Sequence, residues 1–362
     1  MGARLTILSR YSRLGASSRL RTMQYLPALR AAGLEVTVAS FFDDAYLQKL
    51  YAGNRDRGRM LGYYAGRFAQ CRAARKADVI WLEKEALPWL PWVLERLVLP
   101  RGVPLVSDYD DAVFHRYDQH RNPLVRAVLG RKIDGVMAHS ALVTAGNAYL
   151  AQRAQAAGAR RVEIVPTVVD AMAYQPAEAR PADGQPRIGW IGTPQTWGKY
   201  GAPRAAFFQD LARQYGARFR LVGARLAPAT EGAFDYLPWT EDSEVAAIQG
   251  MDIGIMPLMD DPWERGKCGY KLIQYMACGL PVIASPVGVN RDIVTHGETG
   301  FLATTEAEWR AALGTLLEDR ELRRRMGQAG RRMVEASYSI QSQGLRVAQL
   351  LAGLARQKQL VL

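Results

Sequence analysis

The sequence predicts an α/β chain made of two Rossmann-like, doubly wound domains. Three observations carry this. The 362 residues are the length of two ordinary domains, and 49% hydrophobic content is enough for two cores. The chain opens with strand, glycine-bearing loop, amphipathic helix and strand over residues 5–39. The same opening recurs at Arg187-Ile-Gly-Trp-Ile-Gly192, after residues 171–186, which are rich in Ala and Pro and have no apolar period.

Taken in order, Leu5–Leu8 reads as the first strand, and Gly15 lies in the polar loop that follows. A helix is expected from about Ser18 to Ala32, stopped by Gly33, before a strand at Leu34–Ala39. The loop lacks Gly-x-Gly-x-x-Gly, so a nicotinamide cofactor is not supported. Residues 43–76 read as helical and basic, with Arg55, Arg57, Arg59, Arg67, Arg72, Arg75 and Lys76 interleaved with Tyr63, Tyr64 and Phe68. That pattern suits either a membrane surface or a helix packed on its own sheet. Asp78–Leu82 is a strand, and Ala86–Pro100, with Trp89 and Trp92, is read as core or as an acceptor or bilayer contact. Val103–Ser107 is a strand ending in Asp108-Tyr-Asp-Asp-Ala-Val-Phe-His115. Three close aspartates raise at least one pKa unless cations intervene, and catalytic groups gather at the carboxyl ends of parallel strands. Helix N-capping by Asp110 or Asp111 is the plainer alternative. Strand-like pieces follow at Asp134–Ala138 and Leu142–Ala145, a helix starts at Asn147, and Val162–Pro166 is the last strand of this half.

The most informative stretch runs from Asp252 to Leu302. Asp252–Leu258 is an apolar run suited to a buried parallel strand. Asp260–Gly269 holds Pro262, Gly266 and Gly269 and is expected to be irregular. Tyr270–Cys278 has helical spacing, Gly279 fits its stop, and Pro281–Ser285 is the next strand. A helix that starts after a glycine-bearing loop offers amides and a positive dipole end to an anion. Lys271 in its first turn adds a full charge, and a bound phosphate gives that placement a reason.

The run from Lys271 through Tyr275-Met-Ala-Cys-Gly-Leu-Pro-Val-Ile-Ala-Ser285, followed by Gly288, Ile293-Val294 and Gly297-Glu-Thr-Gly-Phe-Leu302, resembles the donor-binding signature of family 4, group 1 glycosyltransferases of the GT-B fold. The resemblance implies two domains facing across a cleft, residues 1–170 on the acceptor side and residues 187–338 binding a nucleotide sugar. Residues 171–186 would link them, and residues 339–362 would form a final helix packing back on the first domain. The family's paired glutamates are replaced by Gly266 and Gln274, and Glu264 stands two residues earlier. By resemblance, Glu264 grips sugar hydroxyls and Gln274 the ribose. The amides near Gly266, Lys267, Cys268 and Gly269, with Lys199 and Lys271, hold the diphosphate. The family's arginine after Gly192 is Thr193 here, given a hydrogen-bonding role, and Lys199 comes one residue late. Gly15 would lie opposite the donor phosphates, and Asp110 would face the reacting sugar or acceptor. His115 would approach the donor sugar or be purely structural. Trp239 would stack on a nucleobase or belong to the core.

Net charge is +12, and residues 1–170 carry 25 Lys+Arg against 15 Asp+Glu, so nearly all the excess lies there. This points to an anionic partner, either a lipid-linked or acidic glycan acceptor or an anionic membrane surface. No nucleic-acid recognition motif accompanies the charge. Three cysteines and four histidines lack metal-site spacing, and no cofactor beyond the nucleotide-sugar cosubstrate is expected. The expectation is a retaining, metal-independent glycosyltransferase of cell-surface polysaccharide assembly, cytoplasmic and peripheral on the inner membrane face. A nucleotide-sugar isomerase and a non-catalytic scaffold on the same fold remain as alternatives.

Overall fold

A computed structural model describes residues 2–51, 53–54, 58–177, 184–224 and 234–361. Arg55, Arg57 and residues 178–183 of the expected linker lie outside the described residues. The chain divides into two compact units, one of Met1–Thr167, Arg265–Cys268 and Ser342–Leu362, the other of Val168–Glu264 and Gly269–Gln341.

The first unit holds a six-stranded sheet of β1 (Ala3–Tyr11), β2 (Leu34–Phe42), β3 (Val79–Glu83), β4 (Leu105–Tyr109), β5 (Leu142–Ala145) and β6 (Val162–Ile164), in the order β2-β1-β3-β4-β5-β6. The second holds β7 (Arg187–Ile191), β8 (Arg218–Val222), β9 (Phe234–Leu237), β10 (Ile253–Met256), β11 (Val282–Ala284) and β12 (Gly300–Leu302), in the order β12-β11-β10-β7-β8-β9. Every strand pairing in both sheets is parallel. Parallel sheets are covered on both faces, which is why the central strands read as short unbroken apolar runs. In β7, Trp190 packs into one core layer with Phe208, Phe219 and Trp309, and Ile191 into the other with Leu272 and Met276. Each sheet reverses strand order once, between β1 and β3 and between β7 and β10. The carboxyl ends flanking such a reversal are where open α/β sheets bind ligands.

Several elements differ from the sequence reading. The expected helix over residues 18–32 is broken into Ala16–Arg21, a 3-10 turn at Met23–Tyr25, and Leu26–Ala31. Pro27 suits the first turn of a new helix but not the interior of an old one. The expected strand at Asp134–Ala138 is part of the helix Lys132–His139, because a short apolar run has no decisive period. Residues 260–269 are not wholly irregular. Asp261 Oδ1 accepts from the amides of Trp263 (3.0 Å) and Glu264 (3.3 Å) and starts a one-turn helix at Pro262–Arg265. The basic stretch 43–76 contains the helices Asp44–Tyr51 and Met60–Ala73. Arg67 on the second is buried, its guanidinium donating to the carbonyls of Ser9 and Ala39. The residues just after Thr167 belong to the second unit, where Val169 lies in the core and pairs with Ser339. The final helix, Ile340–Val361, joins the first unit from Ser342 onward. There Arg346 meets Glu163 (3.0 Å) and the Ile164 carbonyl (2.9 Å), and Lys358 Nζ meets the Ala77 carbonyl (2.6 Å). Among the described residues no helix is long and apolar enough to cross a membrane.

Candidate active site

In the first unit the order reversal is lined by charge. Glu83, at the end of β3, accepts from the Arg10 amide (2.8 Å), Ser17 Oγ (2.8 Å) and Ser18 Oγ (2.5 Å). Gly15 caps the helix bearing both serines, and a Cβ there would meet Tyr11 Cβ at 2.3 Å. Lys84 is held at φ +64°, a left-handed conformation costly for a lysine, and so reaches Asp110 Oδ1 (2.8 Å) and Ser17 Oγ (2.9 Å). The three aspartates after β4 have separate partners. Asp108 forms a bidentate pair with Arg21 (2.7 and 2.9 Å) and accepts from Thr144 Oγ1 (2.6 Å). Asp110 pairs with Lys84, while Asp111 has Lys267 Nζ at 4.0 Å. Burial pushes Asp110 upward, but Lys84 and Arg21 outweigh it and hold the carboxyl below its ordinary value. Burial and then the adjacent Asp110 raise Asp111, against the pull of Lys267 and Lys84. The repulsion expected from the sequence is therefore resolved onto Asp111.

The segment Arg265–Cys268 belongs to this same unit. Asn147 caps the helix Ala148–Ala156 through Oδ1, and its Nδ2 donates to the carbonyls of Lys267 (2.9 Å) and Arg265 (3.3 Å). Cys268 Sγ donates to the Asp110 carbonyl (3.1 Å), and a Cβ on Gly266 would meet Ala112 Cβ at 2.5 Å. The expected cradle is thus divided: Gly266, Lys267 and Cys268 pack in the first unit, while Gly269, Lys271 and Gln274 sit in the second. Cys268 is a buried packing thiol, raised by burial. Asn147 was read from the sequence only as a helix start; its second amide bond spans 120 positions and has no local signal.

His115 is held by partners within its own unit. Its Nδ1 lies 2.8 Å from Asp118 Oδ1 and its Nε2 2.7 Å from Tyr149 Oη, so both ring nitrogens are occupied within the unit.

In the second unit, Gly192 and Thr193 follow β7, and Thr193 caps the helix Pro194–Tyr200 by accepting from the Thr196 amide (3.3 Å). Gly269, at φ +64°, starts the helix Tyr270–Ala277; a Cβ there would meet Ile293 Cδ1 at 2.3 Å, so glycine is required. Lys271 leaves the first turn toward the end of β7. Its Cε would stand 3.0 Å from a Cβ on Gly192, and its Nζ lies 5.3 Å from the Trp190 ring centroid. Tyr275 fixes this arrangement by accepting from the Ile191 amide (3.0 Å), packed where a Cβ on Gly254 would intrude at 2.3 Å.

Lys199 and Gln274 find partners other than those expected. Lys199 Nζ lies 2.5 Å from Glu264 Oε1 and 3.5 Å from Asp261, so its charge neutralises carboxylates. Glu264 is fully buried, and the Tyr200 hydroxyl also donates to Oε1. Among the described residues its other oxygen, Oε2, has no hydrogen-bond donor. Gln274 is buried and donates to Tyr174 Oη (3.2 Å), which donates in turn to Glu244. Glu244 also accepts from Trp239 Nε1 (2.5 Å), so half-buried Trp239 is anchored by its polar edge. Gln274 thus belongs to a buried polar chain.

The family model of "Glycosyl transferases group 1" matches residues 186–319. N-acetyl-alpha-D-glucosaminyl L-malate synthase of Bacillus anthracis is 39% identical over 79 residues, 21% of this chain and 20% of that protein. D-inositol 3-phosphate glycosyltransferase of Nocardia farcinica (strain IFM 10152) is 28% identical over 195 residues, 46% of this chain and 42% of that protein. The chain thus spans less than half the length of these curated relatives. The crystal structure of Anabaena Alr3699/HepE in complex with UDP-glucose superposes with a TM-score of 0.72 at 17% identity, covering 97% of this chain and 99% of that one. Together these matches make residues 186–319 similar to group 1 glycosyltransferases and the fold similar to that of the Anabaena structure along nearly the whole chain.

Proposed function

We propose that the chain transfers a sugar from a nucleotide-sugar donor to a glycan or lipid-linked acceptor of cell-surface polysaccharide assembly, retaining anomeric configuration and using no metal ion. The observation that carries the reading is Lys271, drawn from a helix start on left-handed Gly269 to a glycine at the end of β7 that has no room for a side chain. A cation and a helix amino end brought to a strand's carboxyl end suit a diphosphate, whose charge they neutralise as the leaving group departs. The likeness to a chain crystallised with UDP-glucose supports a nucleotide sugar as donor. The unsatisfied Glu264 Oε2 supports a sugar hydroxyl as its donor, since a buried acceptor left unpaired is costly. Lys199 then acts through Glu264, holding it in place. In the first unit, Asp110 and Asp111 are proposed to face acceptor or sugar hydroxyls, Asp110 held ionised by Lys84.

A thermal-shift screen of UDP, GDP, ADP and their sugars tests the donor class, because a ligand bound only to the folded state raises apparent stability. Lys271→Ala is expected to abolish transfer and weaken nucleoside diphosphate binding by at least about tenfold, with the far-UV spectrum unchanged, from the loss of a charge-assisted contact. Turnover at the parent rate by this variant, or a requirement for divalent cation after exhaustive chelation, contradicts the reading.

A further inference from the structure

We infer that the first unit docks on an anionic lipid bilayer through the helices Trp92–Val98 and Pro123–Leu129. The inference builds on the reading of a lipid-linked acceptor but stands on different residues. Val93 is 66% exposed and Leu97, one turn later, 62%. On the second helix Leu124 is 72% exposed and Val128, again one turn later, 62%. Side chains one turn apart share a face, so each helix offers water an apolar stripe. Both helices are already anchored by their other sides. On the first, buried Glu95 accepts from the Ala86 amide (2.6 Å) and Trp92 packs where Gly135 leaves space. On the second, Leu129 is buried in the core beside Tyr117 and Ile133. Trp89 joins the two stripes. Its backbone sits at φ +63°, its amide donates to Tyr117 Oη (3.1 Å), and its half-exposed ring lies 5.9 Å from His120, just before the second helix.

Charge selects the occupant. From residue 89 to residue 131 the most exposed charged residues are the arginines Arg96, Arg101, Arg121, Arg126 and Arg131, while Asp111 and Asp118 are only partly exposed. An apolar face with an aromatic residue and a mainly cationic surround matches the boundary of a bilayer carrying anionic headgroups. A second copy of the chain fits poorly, because a two-fold contact through this face sets arginines against arginines. The helix Met60–Ala73, the basic stretch singled out from the sequence, is less suited. Its Arg67 is buried, and Arg59 ahead of it lies 3.5 Å from Asp43.

Flotation of the full chain with vesicles of phosphatidylglycerol and phosphatidylcholine, against phosphatidylcholine alone, tests the inference. Binding is expected only to the mixed vesicles. The double variants Leu97→Ser/Leu124→Ser and Arg101→Gln/Arg121→Gln should each weaken it on the order of tenfold, since apolar insertion and headgroup attraction both contribute. All four side chains are exposed, so both variants should keep the parent's melting temperature and its response to UDP. The native cysteines are buried, so Leu97→Cys accepts an environment-sensitive fluorophore selectively, and its emission should move to the blue on mixed vesicles. A parent chain that stays with the soluble fraction, variants that float like the parent, or a label blind to lipid each overturn the inference. So does a dimer in sedimentation equilibrium that Leu97→Ser/Leu124→Ser dissolves while lipid binding is absent. Failed flotation with an intact UDP response strikes only the docking face; normal flotation without any nucleotide response strikes only the transferase reading.

Discussion

At Asp111 a single carboxyl carries the cost of the cluster after β4. Its neighbour Asp110 keeps its proton off with the help of Lys84, and the repulsion falls on Asp111. The two groups contribute to stability with opposite signs. Asp110, lowered in the fold, stabilises above the ordinary carboxylate range and loses that contribution as pH falls through its folded value. Asp111, raised in the fold, favours the folded state only while protonated and loses that contribution as pH rises through its folded value. Asp111→Asn should therefore be more stable than the parent at neutral pH and nearly equal to it in acid. Urea midpoints at the two pH values check this, and a neutral-pH loss of stability contradicts it.

At the scale of elements, short helices place the site and their first turns do most of the placing. Gly269 in a left-handed conformation aims Lys271, Thr193 closes the helix after β7, and Asp261 closes the turn that buries Glu264. Asn147 has two tasks, capping its own helix with Oδ1 and holding the Arg265 and Lys267 carbonyls with Nδ2. Asn147→Asp separates them, because a carboxylate still caps a helix but offers no donor to those carbonyls. Hydrogen exchange over residues 265–268 should accelerate in this variant while the helix Ala148–Ala156 keeps its protection. Unchanged exchange in the loop contradicts the assignment of Nδ2.

At the scale of the molecule, the first unit is organised around a buried ionic knot beside its sheet. Lys132 Nζ lies 2.6 Å from Glu85 and 3.2 Å from Glu95, and Glu85 also pairs with Arg10 (3.2 Å) and accepts from the Tyr117 hydroxyl (2.8 Å). Lys132, Glu85 and Glu95 have fully buried side chains. Such a knot adds little net stability when intact, yet breaking it strands a charge. Burial above all raises Glu95, so that carboxyl is already the less willing to ionise. Lys132→Met should cost about 3–5 kcal/mol, read as a lower urea midpoint. Restoring neutrality with Glu95→Gln in the same chain should recover part of the loss. A loss within error of an ordinary surface substitution contradicts the role assigned to the knot.

Strand, helix and glycine positions were legible from the residues because they follow local rules. Short apolar runs between amphipathic runs announced two parallel sheets, and the glycine before Tyr270 announced a helix start with Lys271 in its first turn. What the chain's order could not convey was partnership. Lys199 with Glu264 lies 65 positions apart and Gln274 with Tyr174 lies 100 apart, and nothing in either neighbourhood names the other. The same holds for exposure: the chemistry of Val93 and Leu97 fits a core or a surface contact alike, and only the packing of neighbouring helices leaves them in water. The sequence by itself thus determined the parallel α/β architecture and the placement of a cation at a helix start, since backbone geometry and hydrophobic periodicity are local. Tertiary structure alone decided which charges are spent on one another, which carboxylate oxygen lacks a donor and which apolar face is uncovered, because those depend on distances that only folding sets.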